Sequence, residues 1–183
     1  MKRKIILFVA AILLSVCTYA QDDAALTKAM LEQANEMGKK FIAKDYTGFL
    51  KYSHPAVIKV MGGVEKMTTA TITELQAIEK EGVKFISIKF GVPSKIIRAN
   101  NELQCTLPEA IEMRVPNGKL TTTTTMIAVS QDKGKNWYFI DTSGNNLGNM
   151  QLLLPTLSDD LYVPMPTDPI FEEDVKAEDI KTE

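Results

Sequence analysis

The sequence predicts an α+β domain in which three N-terminal helices pack in a strongly curved antiparallel sheet. Two observations support this fold class. Helix-type apolar spacing dominates residues 22–81, and strand-like segments separated by turn signals dominate residues 85–141. The helices precede the strands instead of alternating with them, which excludes a doubly wound nucleotide-binding fold.

The first helix is expected in residues 22–44. Apolar side chains recur there at spacings of three and four and form one face: Leu26, Met30, Ala34, Met37 and Phe41. Asp45 is expected to cap a second, shorter helix. His54-Pro55 should end that helix, because the residue before a proline is pushed out of the helical region.

A short β-branched stretch follows. Val57 to Val60 predicts a brief strand, and Gly62-Gly63 predicts a turn after it. A third helix is expected from Val64 to Glu81, where four side chains share a face: Met67, Thr71, Leu75 and Ile78. Gly82 is expected to stop this helix.

After Gly82 the apolar pattern becomes that of strands. Extended segments are expected at residues 85–90, 95–97, 103–115, 121–129 and 138–141. Pro108 predicts a bulge or bend in the long middle segment. Val115 to Lys119 contains a tight-turn signal, so the two long segments are expected to form a hairpin.

Residues 130–137 connect the last two strands and match the Asp-box pattern, Ser-x-Asp-x-Gly-x-x-Trp. This pattern resembles the hairpin turns of sialidases and other exported β proteins, in which the Asp and Gly shape the turn and the aromatic ring packs beneath it. It occurs once, without the repetition of a propeller. We therefore interpret it as a structural turn and not as a catalytic motif.

The N-terminus resembles a secretory signal. Basic residues at positions 2–4 precede the apolar run Ile5 to Val16, which is shorter than the roughly 20 residues of a membrane-spanning helix. We expect cleavage after Ala20 and export to the periplasm or the medium. Cys17 leaves open a second interpretation, in which this cysteine is acylated and anchors a lipoprotein.

Removal of residues 1–20 changes both charge and cysteine content. The basic residues fall from 21 to 18 against 23 acidic ones, a net charge of −5, which disfavours a nucleic-acid partner. Cys105 would be the only remaining cysteine, so no disulfide within the chain is possible. Residues 21–164 are expected to form one domain, and the acidic, Pro-rich residues 165–183 a disordered tail.

These features resemble the nuclear transport factor 2-like superfamily, which includes SnoaL-like and ketosteroid isomerase-like proteins. The resemblance covers residues 24–142 and rests on the long first helix, Asp45-Tyr46, His54-Pro55, Gly62-Gly63 and the hairpins that end at Trp137 to Asp141. It implies a cone-shaped fold with an internal pocket. Its members range from isomerases and dehydratases to binding modules, so the fold alone implies no reaction.

Strand alternation selects two candidate carboxylates. If Asn117-Gly118 is the two-residue turn, Glu109 lies opposite Met126 and faces the apolar side, while Asp141 shares a face with Phe139. A carboxylate at the edge of an apolar cavity would have a raised pKa and could act as a general base, the role that the resemblance to ketosteroid isomerase-like proteins implies. At strand ends, either side chain could instead reach water or cap a backbone amide.

Other reactive residue types are few. His54 is the only histidine; we expect it to make a local hydrogen bond at a helix end, with a role in the pocket as the alternative. Cys105 is expected to be a small buried hydrophobe. No phosphate-binding loop, zinc spacing or hydrolase elbow occurs, so no metal or cofactor is expected.

Three functions stay open. The first is an exported, non-enzymatic domain that binds a small hydrophobic ligand or a partner segment in a pocket lined by Tyr52, Ile111, Met113, Trp137 and Phe139. The second is a small isomerase or hydratase that uses Asp141, Glu109 or His54. The third is a structural envelope module that forms a homodimer through apolar residues of the outer sheet face: Ile127, Val129, Tyr138 and Ile140.

Overall fold

The computed structural model describes residues 23–142 and 144–174. The expected signal segment, with Cys17, lies outside the described residues, as do residues 175–183 of the expected tail. None of the helices in the described part of the chain has the length and apolar character that crossing a membrane requires.

The first two helices form where the sequence predicts them. Helix α1 covers residues 23–42, and Met30, Ala34 and Met37 of its apolar face are buried. Helix α2 (Tyr46–Leu50) begins after Asp45, whose side chain accepts a hydrogen bond of 2.9 Å from the backbone N–H of Gly48. This side chain satisfies an N–H that would otherwise lack a partner at the helix start.

The strand expected at residues 57–60 is wrong, because these residues belong to helix α3 (Pro55–Val60). Pro55 occupies the first helical position, where its missing N–H costs no hydrogen bond. His54 is the cap, and its ring Nδ1 accepts from the backbone N–H of Ala56 at 3.2 Å. Helix α4 (Val64–Lys80) follows as predicted, and Gly82 beyond its end has a φ of 87°.

The strands form one open, antiparallel, six-stranded sheet, which confirms the α+β class. A long hairpin of β3 (Glu102–Val115) and β4 (Gly118–Ser130) lies at its centre. On the far side of β3 lie β1 (Lys84–Phe90) and β2 (Ile97–Ala99). On the far side of β4 lie β5 (Tyr138–Asp141) and β6 (Ile170–Glu173).

The hairpin register differs from the expected one by two residues. Val115 pairs with Gly118, so the turn residues are Pro116 and Asn117, and Glu109 lies opposite Thr124 instead of Met126. Because side chains alternate with a period of two, this shift leaves every side chain on its predicted face. Glu109 therefore still faces inward, and only 6 % of it is exposed.

No bulge occurs at Pro108, which pairs with Thr125 in a continuous β3–β4 ladder. The carbonyl of Pro108 accepts a hydrogen bond from Gly91, so its missing N–H faces the side on which β1 has already ended at Phe90. A proline there removes no bond from the ladder. The irregularity of the sheet lies instead in β1, between Phe85 and Ser87.

Two apolar cores form, one on each face of the sheet. On the inner face, α1 packs on side chains of β3, β4 and β5, among them Leu107, Met126 and Phe139. On the outer face, helix α5 (Leu147–Leu153) and the chain after it cover the sheet with Met150, Leu154, Leu157 and Leu161.

The outer core corrects the expected dimer surface. Ile127, Val129 and Ile140 are buried under the chain's own C-terminal segment, and Tyr138 is half-buried. Polar contacts hold that segment in place, because Gln104 accepts a hydrogen bond from the N–H of Ser158 and donates one to the carbonyl of Thr156. These four side chains therefore do not form an open face for a second copy.

The expectation of disorder from residue 165 onward does not hold for residues 170–173. Two apolar residues, Ile170 and Phe171, are too few for a core, but they are sufficient for an exposed strand on the edge of β4. Backbone pairing, which composition does not reveal, is the physical reason for the difference.

Candidate functional site

A cavity of about 360 Å³ lies between the helices and the β4–β5 edge of the sheet. Ten of its fourteen lining residues are apolar: Met37, Phe49, Leu50, Val57, Met67, Met126, Phe139, Ile140, Met150 and Leu153. A larger groove of about 870 Å³ lies at the β2–β3 turn, but polar side chains such as Arg98, Asn100 and Lys133 dominate its lining. The smaller cavity is the one that fits the predicted apolar pocket.

Every layer of the fold contributes to this cavity. Four of its apolar residues are methionines, one each from α1, α4, β4 and α5: Met37, Met67, Met126 and Met150. Methionine is unbranched and polarisable, so such a lining adapts to ligands of different shapes. The strand β5 is joined to the turn after α2 by a 2.7 Å hydrogen bond from the N–H of Phe139 to the carbonyl of Tyr52.

Four polar residues complete the lining: Ser53, Thr71, Asp141 and Asn145. Asp141 is the only ionisable residue among them, and its Oδ1 accepts a hydrogen bond of 3.2 Å from the Thr124 hydroxyl. Asn145 is fixed by two hydrogen bonds to the carbonyl of Thr142, one from its backbone N–H and one from its side-chain amide, both 2.8 Å. The cavity therefore offers one negative charge in a mainly apolar surface.

Glu109 lies near Asp141 on the inner face. Thr124 connects the two, because it is the cross-strand partner of Glu109 and donates its hydroxyl to Asp141. Burial, with a smaller contribution from the charge of Asp141, raises the pKa of Glu109 to about 7. At neutral pH this carboxyl is therefore near the midpoint of its titration, as a general acid or base would be.

His54 is not among the residues that line the cavity. It is buried at the start of α3, with its ring 6.0 Å from that of Tyr138, and burial lowers its pKa. Its hydrogen bond with the N–H of Ala56 is the local contact expected at a helix end. Its Nε2 has no hydrogen-bond partner among the described residues.

Of the five predicted ligand-binding residues, only Phe139 lines the cavity. Tyr52 and Trp137 belong to the inner core beside it, and Trp137 is only 1 % exposed. Ile111 and Met113 lie farther along β3, opposite Ile88 and Phe85 of β1. The predicted pocket extended too far toward the hairpin, because strand alternation gives the face of a side chain but not its distance from the cavity.

Sequence reasoning missed lining residues that come from distant segments. Met67 and Thr71 were recognisable as members of one helix face, although nothing in the sequence showed what that face covers. Asn145, Met150 and Leu153 lie in and near α5, which the sequence did not predict. No local pattern could have placed them beside β5.

The Asp-box turn is structural, as predicted. Asp132 Oδ1 accepts hydrogen bonds from the Ser130 hydroxyl at 3.0 Å and from the backbone N–H of Asn136 at 2.9 Å. The bond from Asn136 is the main reason that the pKa of Asp132 is lowered. The Ser130 hydroxyl in turn accepts from the N–H of Gly134 at 2.9 Å.

Helix α1 anchors the same turn. Gln33 accepts from the N–H of Trp137 at 2.9 Å and donates to the carbonyl of Lys135 at 3.0 Å. The turn favours glycine at position 134 because its φ is 87°, and a Cβ there would also require the Leu26 side chain to move. These contacts fix Trp137 in the core that borders the cavity.

Within residues 23–142 and 144–174, no three His, Cys, Asp or Glu side chains are grouped so that they could hold a metal ion. Comparison with protein-family models, with curated proteins and with solved structures finds no match to this chain. The chemistry of the cavity is therefore the basis on which a function can be proposed.

Proposed function

We propose that this protein is an exported, non-enzymatic domain that binds a small hydrophobic ligand in the cavity between its helices and β5. The apolar lining around a single carboxylate, Asp141, supports this proposal. Ligand pockets commonly enclose about 300–1,000 Å³ and combine a mainly apolar wall with a few polar groups. Asp141 favours a ligand that presents a hydrogen-bond donor or a positive charge.

The binding test uses a substitution that fills the cavity. Thr71→Met places a longer side chain in the lining, while Thr73→Met makes the same chemical change on the exposed side of α4. The probe is N-phenyl-1-naphthylamine, an apolar molecule with one N–H donor. Trp137, the single tryptophan, reports on the cavity because its core cluster shares Met37, Met126 and Phe139 with the lining.

We expect saturable quenching of Trp137 by the probe in the wild-type chain and in Thr73→Met, and a loss of at least tenfold in affinity in Thr71→Met. The lost space is the physical reason, since the longer methionine side chain projects into the volume that the probe would occupy. Equal affinity in the two variants would show that the probe binds elsewhere and would contradict the proposal. Native mass spectrometry of the chain purified from its producing cells then identifies any ligand that it retains.

Export and the nuclear transport factor 2-like assignment are part of the same proposal. The long first helix against the inner sheet face and the cavity beside it support the assignment. An intact mass that begins at Gln21 would support export after cleavage. A diacylated mass that begins at Cys17 would support a lipoprotein anchor, and a mass that begins at Met1 would contradict both.

A second candidate function is an isomerase or hydratase, which the raised pKa of Glu109 beside Asp141 favours. A β,γ-unsaturated cyclic ketone is a suitable probe, because abstraction and return of one proton produces a conjugated ketone that absorbs ultraviolet light. An enzyme of this type would convert the probe with a rate that falls at least 100-fold in Glu109→Gln or Asp141→Asn, since general acid–base groups contribute about 10²–10⁴-fold. If the wild-type rate does not exceed the rate of these variants, this probe reaction is excluded and binding remains the proposed function.

A further inference from the structure

The strand β6 pairs with the edge of β4 but contributes no side chain to either core. Its residues pair with Gly118 to Thr121 at the tip of the β3–β4 hairpin, and the N–H of Asp174 extends the pairing to the carbonyl of Asn117. All four residues of β6 are exposed. Backbone pairing, and not side-chain burial, is therefore the main contact of this strand with its own chain.

The absence of a side chain at Gly118 permits the close approach of β6. A Cβ at this position would collide with the carbonyl oxygen of Glu172 and touch the ring of Phe171. The φ of Gly118 lies outside the left-handed region, so the hairpin turn itself does not require a glycine here. The glycine thus makes the edge of β4 accessible to an incoming backbone.

The edge and the strand have opposite charges. Arg114 pairs with Asp174 at 2.8 Å, and Lys119 pairs with Glu172 at 3.0 Å. The bond from Glu172 is also the main reason that the pKa of Lys119 is raised. The two ion pairs define which segment fits, namely an extended one with acidic residues at the first and third of three consecutive positions.

The contacts between β6 and the edge of β4 are weak enough for the strand to detach. Both ion pairs are exposed, and exposed pairs contribute about 0–1 kcal/mol each. The segment that leads into β6 contains three prolines, which lack a backbone N–H and disfavour helix or strand formation there: Pro164, Pro166 and Pro169. The short tether holds β6 in place mainly by keeping its local concentration high.

We propose that β6 is an exchangeable strand, and that the edge of β4 at Gly118–Thr121 is a docking site for β6 of a second copy of this chain. Every copy carries the one segment that is shown to fit this edge in backbone register and in charge. Exchange replaces each contact by the same contact between chains, so it costs little besides the lost tether. This site is separate from the cavity and independent of the ligand.

Two full-length variants separate donor from acceptor. Gly118→Ala blocks the edge but leaves the strand intact. Glu172→Pro leaves the edge intact but prevents pairing, because antiparallel ladder bonds recur at every second residue and Asp174 makes one of them. Neither variant can form the β4–β6 contact alone. Their mixture can form it in one combination, with β6 of Gly118→Ala on the edge of Glu172→Pro.

The measurement is the amide NMR spectrum of the isotope-labelled Glu172→Pro variant during titration with the unlabelled Gly118→Ala variant. We expect saturable shifts confined to Arg114 and to Gly118–Thr121, and a sedimentation coefficient that moves toward that of a dimer. Titration with unlabelled Glu172→Pro is the matched control and should cause no shift. Lys119→Glu in the acceptor should weaken binding roughly two- to fivefold, and Glu172→Lys in the donor should restore it.

A synthetic peptide of residues 166–176 provides a second measurement that does not depend on the folding of Gly118→Ala. It should cause the same shifts in labelled Glu172→Pro, whereas a peptide of the same composition in scrambled order should not. If neither the mixture nor the peptide shifts these residues at millimolar concentration, β6 serves only its own chain and the proposal is wrong. Shifts that are indifferent to the charge reversal would likewise overturn it.

Discussion

Replacement of Glu109 by glutamine should stabilise the protein at high pH and have much less effect at low pH. Glu109 is buried on the inner sheet face, and burial together with Asp141 raises its pKa from 4.5 to about 7. A carboxyl whose folded pKa is raised binds its proton more tightly in the folded state. Its ionisation therefore costs no stability below pH 4.5, an increasing amount between pH 4.5 and 7, and a constant amount above pH 7.

The size of this cost follows from the same two pKa values. At about 1.4 kcal/mol per pKa unit, a rise from 4.5 to about 7 corresponds to roughly 3 kcal/mol. In a domain of this size, 1 kcal/mol moves the melting temperature by about 2–4 °C. The advantage of Glu109→Gln should thus grow by roughly 6–12 °C between pH 4 and pH 8. An unsatisfied glutamine amide would add a cost that is the same at both pH values.

The assay is thermal unfolding of both chains at pH 4, 6 and 8, followed by circular dichroism. Glu112→Gln is the matched control, because Glu112 lies on the same strand but on the opposite, partly exposed face. Asp141→Asn should reduce the pH dependence, since it removes the second cause of the raised pKa. A melting-temperature difference for Glu109→Gln that stays constant from pH 4 to pH 8 would refute the buried, proton-binding carboxyl.

Two further predictions concern the inner core and the turn beside it. Asp132→Ala should lower the free energy of unfolding by about 1–2 kcal/mol, because the backbone N–H of Asn136 and the Ser130 hydroxyl lose their acceptor; urea unfolding with Lys133→Ala as control measures this, and an unchanged midpoint would contradict it. Cys105 is buried, and burial raises its thiol pKa to about 12, so iodoacetamide at pH 8 should alkylate it only after unfolding. Mass spectrometry locates the label, and rapid alkylation of Cys105 in the folded chain would show that this interpretation is wrong.

The parts of the fold that were predictable are those that local physics determines. Apolar periodicity placed α1 and α4, and the side chain of Asp45 placed the start of α2. Alternation placed Glu109 and Asp141 on the inner face although the hairpin register was displaced by two residues. His54-Pro55 misled the prediction, because the signal that ends one helix is also the signal that begins another.

The parts that were not predictable depend on contacts between distant segments. The N-cap of α5, Asn146, is a short-range signal, but the helix is stabilised by packing on the outer face of the sheet. The strand β6 has two apolar residues and depends on an edge about 50 residues earlier in the chain. Neither composition nor periodicity reports such a partner.

The C-terminal segment changes how the candidate functions compare. It buries the outer sheet face that would have formed a dimer, and it also supplies Asn145, Met150 and Leu153 to the cavity wall. A ligand that contacts these residues would stabilise the packing of the C-terminal segment on the sheet, because it would bind only while that segment is packed there. The same stretch of chain ends in β6, whose contacts are exposed and few. The proposed ligand site thus lies at the well-packed end of the C-terminal segment, and the proposed docking edge involves its weakly held end, so neither proposed function requires loss of the other.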